Sequence, residues 1–263
     1  MRVGFVGAGR MGAPMVARLT AAGNDVRALG RTEQSRAAVT ELGATAVADA
    51  ASAADGADVV VVCVFTDDQV NAVAPELIAA MPTGSVLVLH TTGSPDTAAV
   101  LAESAGLRGV AVLDAPVSGG PHDIAAGAVT VFVGGNDEAL QRARPVLAAY
   151  AEPILHAGGV GAGQKMKLVN NTLFAAQIGL MAEAVRLGDR LGLTEQALLT
   201  ALPQGSAASA AMTNIARAGS TGAFIAAVAE FIGKDVAVVR GTAAELGTDL
   251  GRLEPLVDAG LGR

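Results

Sequence analysis

The first 150 residues alternate short β-branched apolar runs with alanine-rich stretches of helical spacing. Near-continuous valine at 59–62 indicates a central strand covered on both faces. Strands that alternate with helices of this length are typical of βαβ units and a mostly parallel sheet. The predicted strands are 2–7, 25–30, 57–65, 84–90, 109–115 and 129–135, and the predicted helices are 12–22, 33–42, 68–80, 95–105 and 136–149.

The pattern changes after Tyr150. Residues 152–156 allow one last edge strand, and the glycine-rich stretch 157–163 then breaks the chain. From Gln164 to Leu191 no proline intervenes, and apolar residues recur at helical spacing, which predicts one long helix. The residues that set this spacing are Met166, Val169, Leu173, Ala176, Leu180 and Ala184. Further helices are predicted at 194–201, 206–218 and 223–247.

These patterns predict two domains. Residues 1–160 form a doubly wound, mostly parallel α/β domain. Residues 161–263 form a long linking helix and an all-α domain.

Composition narrows the class of protein. The 263 residues are 51% hydrophobic and 16% charged, so a large core is easily built, and with 3% aromatics it must consist of Ala, Val and Leu. A net charge of −7 argues against nucleic acid or an anionic membrane as partner. The single Cys63 excludes an intrachain disulfide and is expected in a buried strand. Without a membrane-length apolar stretch or a signal-like start, we expect a cytoplasmic protein. No residues have metal-ligand spacing.

A glycine loop follows the first strand. In Gly7-x-Gly9-x-x-Gly12, the first glycine allows a tight turn, the second lets backbone approach a pyrophosphate, and the third lets helix and strand pack closely. The following helix offers N–H groups and a positive dipole end to phosphates. Strand, loop, helix and second strand all fall within 30 residues, so we predict a Rossmann dinucleotide site that includes Arg10 and Met11.

The end of the second strand bears on the cofactor. An acidic residue there would bind the ribose 2′-hydroxyl of NAD, but the chain has Gly30-Arg31-Thr32. An arginine can fork onto a 2′-phosphate and a threonine can donate a hydroxyl hydrogen bond. The sequence therefore favours NADP, with NAD possible; the alternative is that Arg31 is only a solvated loop residue.

Three further segments complete a recognisable pattern: DAPVSGG at 114–120, GGVGAGQKMKLVNN at 158–171 and GKDVAVV at 233–239. Together with the glycine loop, they make the chain resemble the β-hydroxyacid dehydrogenase family over residues 1 to about 240. That family includes 3-hydroxyisobutyrate dehydrogenase, tartronate semialdehyde reductase and the glyoxylate and succinic semialdehyde reductases. The resemblance implies a Rossmann domain, a helical domain that builds a dimer, and hydride transfer between nicotinamide and a carbonyl or alcohol carbon.

The resemblance also implies a catalytic pair. Lys167 corresponds to the family's catalytic lysine and Asn171 to its asparagine. Residues i and i+4 project from one face of a helix. A lysine in a dry cleft can give a proton to a developing alkoxide. The alternative is a surface lysine that snorkels along the helix.

Other roles are carried over by motif. Ser118, Gly119 and Gly120 would hold the substrate carboxylate, where small residues let N–H groups approach an anion. Thr92 would contact the nicotinamide ribose or the substrate. The remaining implied contacts are the backbone of Phe65 and Thr66 beside the adenosine, Val70 beside the cofactor, and Lys234 with Asp235 closing over the cofactor and substrate.

The chain departs from the family pattern in three places. Ala227 stands where many semialdehyde reductases have Phe, and the part after the Lys-Asp helix is short. His122 and Asp123 stand where small or apolar residues are usual, and we expect a solvated loop pair there. Asp67 and Asp68 are expected to cap the next helix.

We therefore expect an NADP-preferring dehydrogenase or reductase of a small carboxylate-bearing hydroxyacid or semialdehyde, working as a homodimer or homotetramer. Rival interpretations are an imine reductase on the same scaffold, a non-catalytic dinucleotide-binding module, and a 6-phosphogluconate-type enzyme. Lys167 counts against the first two, and the short second domain counts against the third. The substrate and the physiological direction stay open.

Overall fold

A computed structural model describes all residues, 1–263, and the chain divides into two compact units, Met1–Lys167 and Leu168–Arg263. The predicted domain boundary at residue 160 stays a prediction. None of the helices has both the length and the apolar character that crossing a membrane requires.

The first unit is built on a nine-stranded sheet with the order β3-β2-β1-β4-β5-β6-β8-β7, and β9 pairs with β8. The strands β1 to β6 run parallel, while β8 is antiparallel to β6 and β7. This confirms the predicted doubly wound, mostly parallel sheet. The strands are β1 Arg2–Val6, β2 Asp25–Leu29, β3 Thr45–Val47, β4 Val59–Val62, β5 Val86–Leu89, β6 Ala111–Asp114, β7 Val117–Ser118, β8 Val129–Gly134 and β9 Ala151–Gly158.

Helices connect the strands. They are α1 Gly12–Ala21, α2 Glu33–Glu41, α3 Ala50–Ala54, α4 Asp67–Ala80, α5 Pro95–Gly106, α6 Pro121–Ala126 and α7 Asp137–Leu147, followed by α8 Ala162–Arg190. All four valines of β4 are fully buried between β1 and β5, which confirms the predicted central strand. The strand ends at Val62, so the expectation that Cys63 lies buried in a strand is wrong by one residue: its N–H still donates to the Val6 carbonyl at 2.8 Å, but Cys63 lies just beyond the strand and is only partly buried.

A buried histidine joins the end of β5 to the rest of the first unit. His90 Nδ1 lies 2.5 Å from the Ala115 carbonyl oxygen, and Nε2 lies 2.8 Å from the Tyr150 hydroxyl. A neutral ring satisfies both contacts if Nδ1–H donates and Nε2 accepts. Burial lowers the pKa of His90 to about 4.

This histidine makes the free energy of unfolding depend on pH. The unfolded chain protonates His90 near pH 6.5 while the folded chain does so only near pH 4, so stability is full above 6.5 and is lost as the pH falls towards 4. At about 1.4 kcal/mol per pKa unit, we expect a loss of up to ~3 kcal/mol. Urea unfolding at pH 7 and pH 5 should show about 2 kcal/mol of it, because pH 5 still lies above the folded pKa. His90→Gln, which keeps a donor and an acceptor but does not titrate, should flatten this dependence, and equal dependences would refute the assignment.

The second unit is helical, as predicted. Most of α8 lies in it, followed by α9 Glu195–Ala201, α10 Ala210–Ala218, α11 Thr221–Glu245 and α12 Glu254–Gly260, with 3-10 turns at 202–204 and 251–253. α12 packs backbone to backbone on α8: a Cβ at Gly179 would overlap the Leu256 carbonyl, and one at Gly260 would overlap that of Ala175. Arg240 also joins α11 to α12 through Glu254 and Asp258, at 2.5 and 2.7 Å.

The long helix has two apolar faces. Ala175, Ile178 and Met181 are buried in the core of the second unit. Of the residues whose spacing predicted the helix, Met166, Val169, Leu173 and Leu180 are exposed and mark the second face, whereas Ala176 is buried in that core. Leucines continue this face to the end of the helix. The exposed stripe within the second unit consists of Val169, Leu173, Leu180, Leu187 and Leu191, each between 46% and 68% exposed.

Candidate active site

The glycine loop lies between β1 and α1. At two of its three glycines a side chain would overlap the protein's own backbone, and at the third it would not. Gly7 has a φ of +98°, and a Cβ there would overlap the Cys63 carbonyl; one at Gly12 would overlap the Gly7 carbonyl and lie 2.9 Å from Phe5 Cε1. A Cβ at Gly9 would meet nothing within 4 Å. The open space above Gly9, next to the N-terminus of α1, fits a pyrophosphate. Arg10 beside it is exposed, and Met11 precedes the first turn of α1.

This contrast predicts different effects of alanine at two positions. Gly9→Ala should leave the free energy of unfolding within about 0.5 kcal/mol, because the methyl group enters open space, yet weaken binding of the nicotinamide dinucleotide. Gly12→Ala should cost about 1–3 kcal/mol, the usual range for overpacking. Thermal unfolding and fluorescence titration with NADPH separate the two effects. Unchanged NADPH affinity in folded Gly9→Ala would show that nothing binds above this residue.

Two arginines lie near the end of β2. Arg31 is exposed, and Arg36, in the first turns of α2, donates from Nη1 to the Gly30 carbonyl at 3.2 Å. Thr32 is the N-cap of α2: its Oγ1 accepts from the Ser35 N–H, and the Thr32 N–H donates back to Ser35 Oγ. The Thr32 hydroxyl is therefore already used by the helix cap. The sequence interpretation missed Arg36, because it is the fourth residue of α2 and does not lie at the end of the strand.

A second capping box lies after β4. Thr66 caps α4, and Gln69 Oε1 accepts from the N–H groups of Phe65 and Thr66, at 2.8 and 3.3 Å. The Phe65 ring is 46% exposed and Val70 is buried in the core of the first unit. Asp67 does not cap this helix, because Thr66 does so; it instead accepts from the Ser94 N–H at 2.8 Å.

The residues predicted to hold a substrate carboxylate lie in the turn after β7. Gly119 has a φ of +135°, and half-buried Ser118 pairs with Thr130 of β8. The Gly120 N–H donates to Asp123 Oδ2 at 2.7 Å. Asp123 is therefore not a solvated loop residue as expected, since it closes the turn.

The first turn of α8 is fixed to two strand ends, through residues that the sequence interpretation missed. Asp114, fully buried at the end of β6, accepts from the N–H groups of Gly161 and Gln164, at 2.7 and 2.8 Å. The buried Gln164 side chain donates to the Thr91 carbonyl at 2.7 Å and accepts from the Gly93 N–H at 3.1 Å. Burial raises the pKa of Asp114, and the backbone N–H donors oppose that rise.

Backbone contact reinforces this attachment. A Cβ at Gly163 would lie 2.5 Å from the carbonyl oxygens of both Asp114 and Phe132, so the helix rests directly on β6 and β8. Lys167 follows one turn later and is 9% exposed. Its position is thus set by the same turn that Asp114 and Gln164 hold.

In the second unit, α8 and α11 bring three predicted residues together. Asn171 Nδ2 donates to Asp235 Oδ2, and Lys234 Nζ lies 3.0 Å from Asp235 Oδ1. Asn171 is 4% and Asp235 5% exposed. Asn170 Nδ2 donates to Asn171 Oδ1 at 3.0 Å. The pairing fixes the Asn171 amide, one helical turn after Lys167.

No cluster of three or more His, Cys, Asp or Glu side chains could hold a metal ion. The residues present instead fit a dinucleotide, with open space above Gly9 and a cationic β2 end.

Two family models match the chain. Residues 2–159 match the NAD-binding domain of 6-phosphogluconate dehydrogenase, and residues 161–254 match the model described as NAD-binding of NADP-dependent 3-hydroxyisobutyrate dehydrogenase. Among curated proteins, the NAD-dependent L-serine dehydrogenase of Pseudomonas aeruginosa is 38% identical over 200 residues, 75% of this chain and 67% of the relative. The 3-hydroxyisobutyrate dehydrogenase of the same organism is 36% identical over 207 residues, 78% of this chain and 70% of the relative.

Solved structures agree. The Mycobacterium tuberculosis 3-hydroxyisobutyrate dehydrogenase, solved with L-serine, superimposes with a TM-score of 0.87 at 30% identity, covering 99% of this chain and 91% of that one. An imine reductase from Streptomyces aurantiacus has a TM-score of 0.68 at 23% identity, covering 98% and 92%, which is a likeness of fold alone.

Proposed function

This chain belongs to the β-hydroxyacid dehydrogenase family, and from that premise we propose that it transfers a hydride between NADP(H) and a small β-hydroxyacid or its semialdehyde, with Lys167 as general acid/base. That it is an oxidoreductase of the hydroxyacid dehydrogenase type, using a nicotinamide dinucleotide and a small-molecule substrate, follows from its relatives. The observation that carries the lysine's role is its burial one turn after the fixed start of α8.

The proposed chemistry assigns one task to each residue. A bound nicotinamide would supply or accept the hydride. In the reducing direction the Lys167 ammonium gives its proton to the carbonyl oxygen as negative charge develops there. Asn171, held by Asp235, keeps its polar group one turn from Lys167 on the same helix face. Lys234, paired with Asp235, supplies a second cation that suits an anionic ligand.

Support for NADP comes from the end of β2. Arg31 is exposed there, and the Arg36 guanidinium lies against the Gly30 carbonyl. Two guanidinium groups suit a 2′-phosphate, which they can bind through charge-assisted, forked hydrogen bonds. No carboxylate ends the strand to bind a free ribose 2′-hydroxyl. The Thr32 hydroxyl caps α2. Because Thr32 is exposed, the residue can still lie beside a bound 2′-phosphate.

The donors for a substrate carboxylate are fewer than the sequence indicated. Ser118 can offer its hydroxyl and Gly119 its backbone N–H, whereas the Gly120 N–H is already bonded to Asp123. Thr92, half-buried in the 91–93 segment that Gln164 holds, is proposed beside the nicotinamide ribose or the substrate.

We further propose a homo-oligomer, a dimer or tetramer. An exposed apolar stripe as long as that of α8 is unusual on a monomer. A cytoplasmic location stays a prediction. Imine reduction is the second candidate because the fold is shared, but a lysine general acid suits an alkoxide product better than an amine.

A substrate panel tests the function. Purified protein is assayed with glyoxylate, succinic, methylmalonate and tartronate semialdehydes, 3-hydroxyisobutyrate and L-serine, each with NADPH/NADP and with NADH/NAD. We expect turnover of at least one hydroxyacid or semialdehyde, faster with the phosphorylated cofactor. Turnover of cyclic imines alone would favour the second candidate, and turnover of none would refute the proposal.

A further inference from the structure

The Ser118–Gly120 turn carries a negative charge of its own. Asp123 Oδ2 lies 2.7 Å from the Gly120 nitrogen, and a Cβ at Gly119 would also lie 2.7 Å from this oxygen. The carboxylate thus lies against the backbone of both glycines. A protein anion occupies one of the N–H donors proposed for the substrate anion.

This charge is weakly compensated. The neighbour of Asp123 that could carry positive charge is His122, whose Nε2 lies 3.3 Å from Asp123 Oδ1 and whose side chain is 80% exposed; the two form an ion pair only when the imidazole is protonated. The Asp123 side chain is itself 37% exposed, so it can face a ligand at the turn. A substrate carboxylate bound by Ser118 and Gly119 would lie beside a second carboxylate.

Like charges so close repel, and an interposed cation reverses the sign of the interaction. We infer that Asp123 is a specificity-determining residue that makes this turn select β-hydroxy-α-amino acids, whose ammonium group it binds, over β-hydroxyacids that carry a carboxylate alone. The inference rests on the proposed function, because it assumes that Ser118 and Gly119 hold the substrate carboxylate.

In a β-hydroxy-α-amino acid, two carbons separate the ammonium nitrogen from the carboxylate oxygens. The two groups can therefore bind at neighbouring positions of one turn. The carboxylate accepts from Ser118 and Gly119, and the ammonium donates to Asp123. The neighbouring hydroxymethyl group is then left for the reaction. Its O–H proton passes to the neutral Lys167 amine, its C–H bond breaks with the hydride passing to NADP⁺, and the C=O bond of the amino aldehyde forms.

A matched pair of substrates isolates the charge. L-serine and 3-hydroxypropanoate share the skeleton and differ only in the amino group. We expect kcat/KM for L-serine to exceed that for 3-hydroxypropanoate in the wild-type protein. In Asp123→Asn, whose amide oxygen still accepts from the Gly120 N–H, that ratio should fall about tenfold or more, the size of effect that a charge within ~6 Å has on another.

Two controls separate specificity from structure. Asp137→Asn makes the same substitution at an 83% exposed carboxylate that pairs with His156, and should leave the ratio unchanged. Thermal unfolding and NADPH titration report whether Asp123→Asn folds and binds cofactor. A ratio of two rates from one preparation does not depend on how much of it is folded.

The outcomes are distinct. A lower ratio in Asp123→Asn, with the Asp137→Asn ratio unchanged, supports the inference. An unchanged ratio, or a wild-type enzyme that oxidises 3-hydroxypropanoate faster than L-serine, overturns it and leaves Asp123 as a cap of α6, with the proposed function intact. No turnover of any hydroxyacid or semialdehyde would overturn both.

Discussion

Lys167→Met is expected to lower kcat by about 10²–10⁴-fold, the contribution typical of a general acid or base. Methionine keeps the length and the apolar stem of the side chain but cannot exchange a proton. The first turn of α8 is held by Asp114 and Gln164, so the backbone should stay in place. NADPH affinity should therefore change little. Steady-state kinetics and fluorescence titration measure the two quantities.

The sequence provides a matched control. The chain has only three lysines, Lys165, Lys167 and Lys234, and Lys165 is exposed on the same turn of α8. Lys165→Met should keep wild-type kcat. Wild-type activity in both variants would remove Lys167 from the mechanism, whereas the same loss in both would point to a general effect of the substitution on the helix.

The second large effect is expected at the end of β2. The double variant Arg31→Ala/Arg36→Ala should lose about 10²–10⁴-fold in kcat/KM for NADPH and change little for NADH. Hydrogen bonds to charged groups contribute about 1.5–3 kcal/mol each, and NADH has no 2′-phosphate to receive them. Arg217→Ala, an exposed arginine on α10, is the control. A variant that loses both cofactors equally would contradict the assignment to NADP.

Much of the fold could be predicted because its signals are local. The valines of β4 and the unbroken helical spacing after Gln164 define their elements without reference to distant residues. β3 and α3 were missed because Thr45–Val47 is only three residues long and Ala50–Ala54 is all small residues, so neither has a readable period. The glycine loop was predictable for the same reason: the φ of +98° at Gly7 belongs to the turn itself, and Gly12 packs on Gly7 and Phe5, which are close to it in sequence.

The supporting residues of the site could not be predicted in this way. Gln164 meets Thr91 73 residues away, and Asp114 meets Gln164 50 residues away, so no local period marks either contact. Asp123 was misjudged because its cap depends on the direction of the Gly120 N–H, which composition does not show. The exposed stripe of α8 shows the reverse problem: its spacing predicts a helix equally well whichever face is buried.

The bidentate side chain of Gln164 has a thermodynamic consequence. Its side chain hydrogen-bonds to Thr91 and Gly93, and its backbone belongs to the helical turn that positions Lys167. A shift of the segment 91–93 would therefore strain this turn, and a shift of the turn would strain the segment. If a ligand binds beside Thr92 as proposed, any change that its binding makes in the segment 91–93 would also change the position of the Lys167 amine, and by linkage the state of the amine would change the affinity for that ligand by the same factor. On the proposed function, ligand binding at this loop and proton transfer by Lys167 would then be coupled.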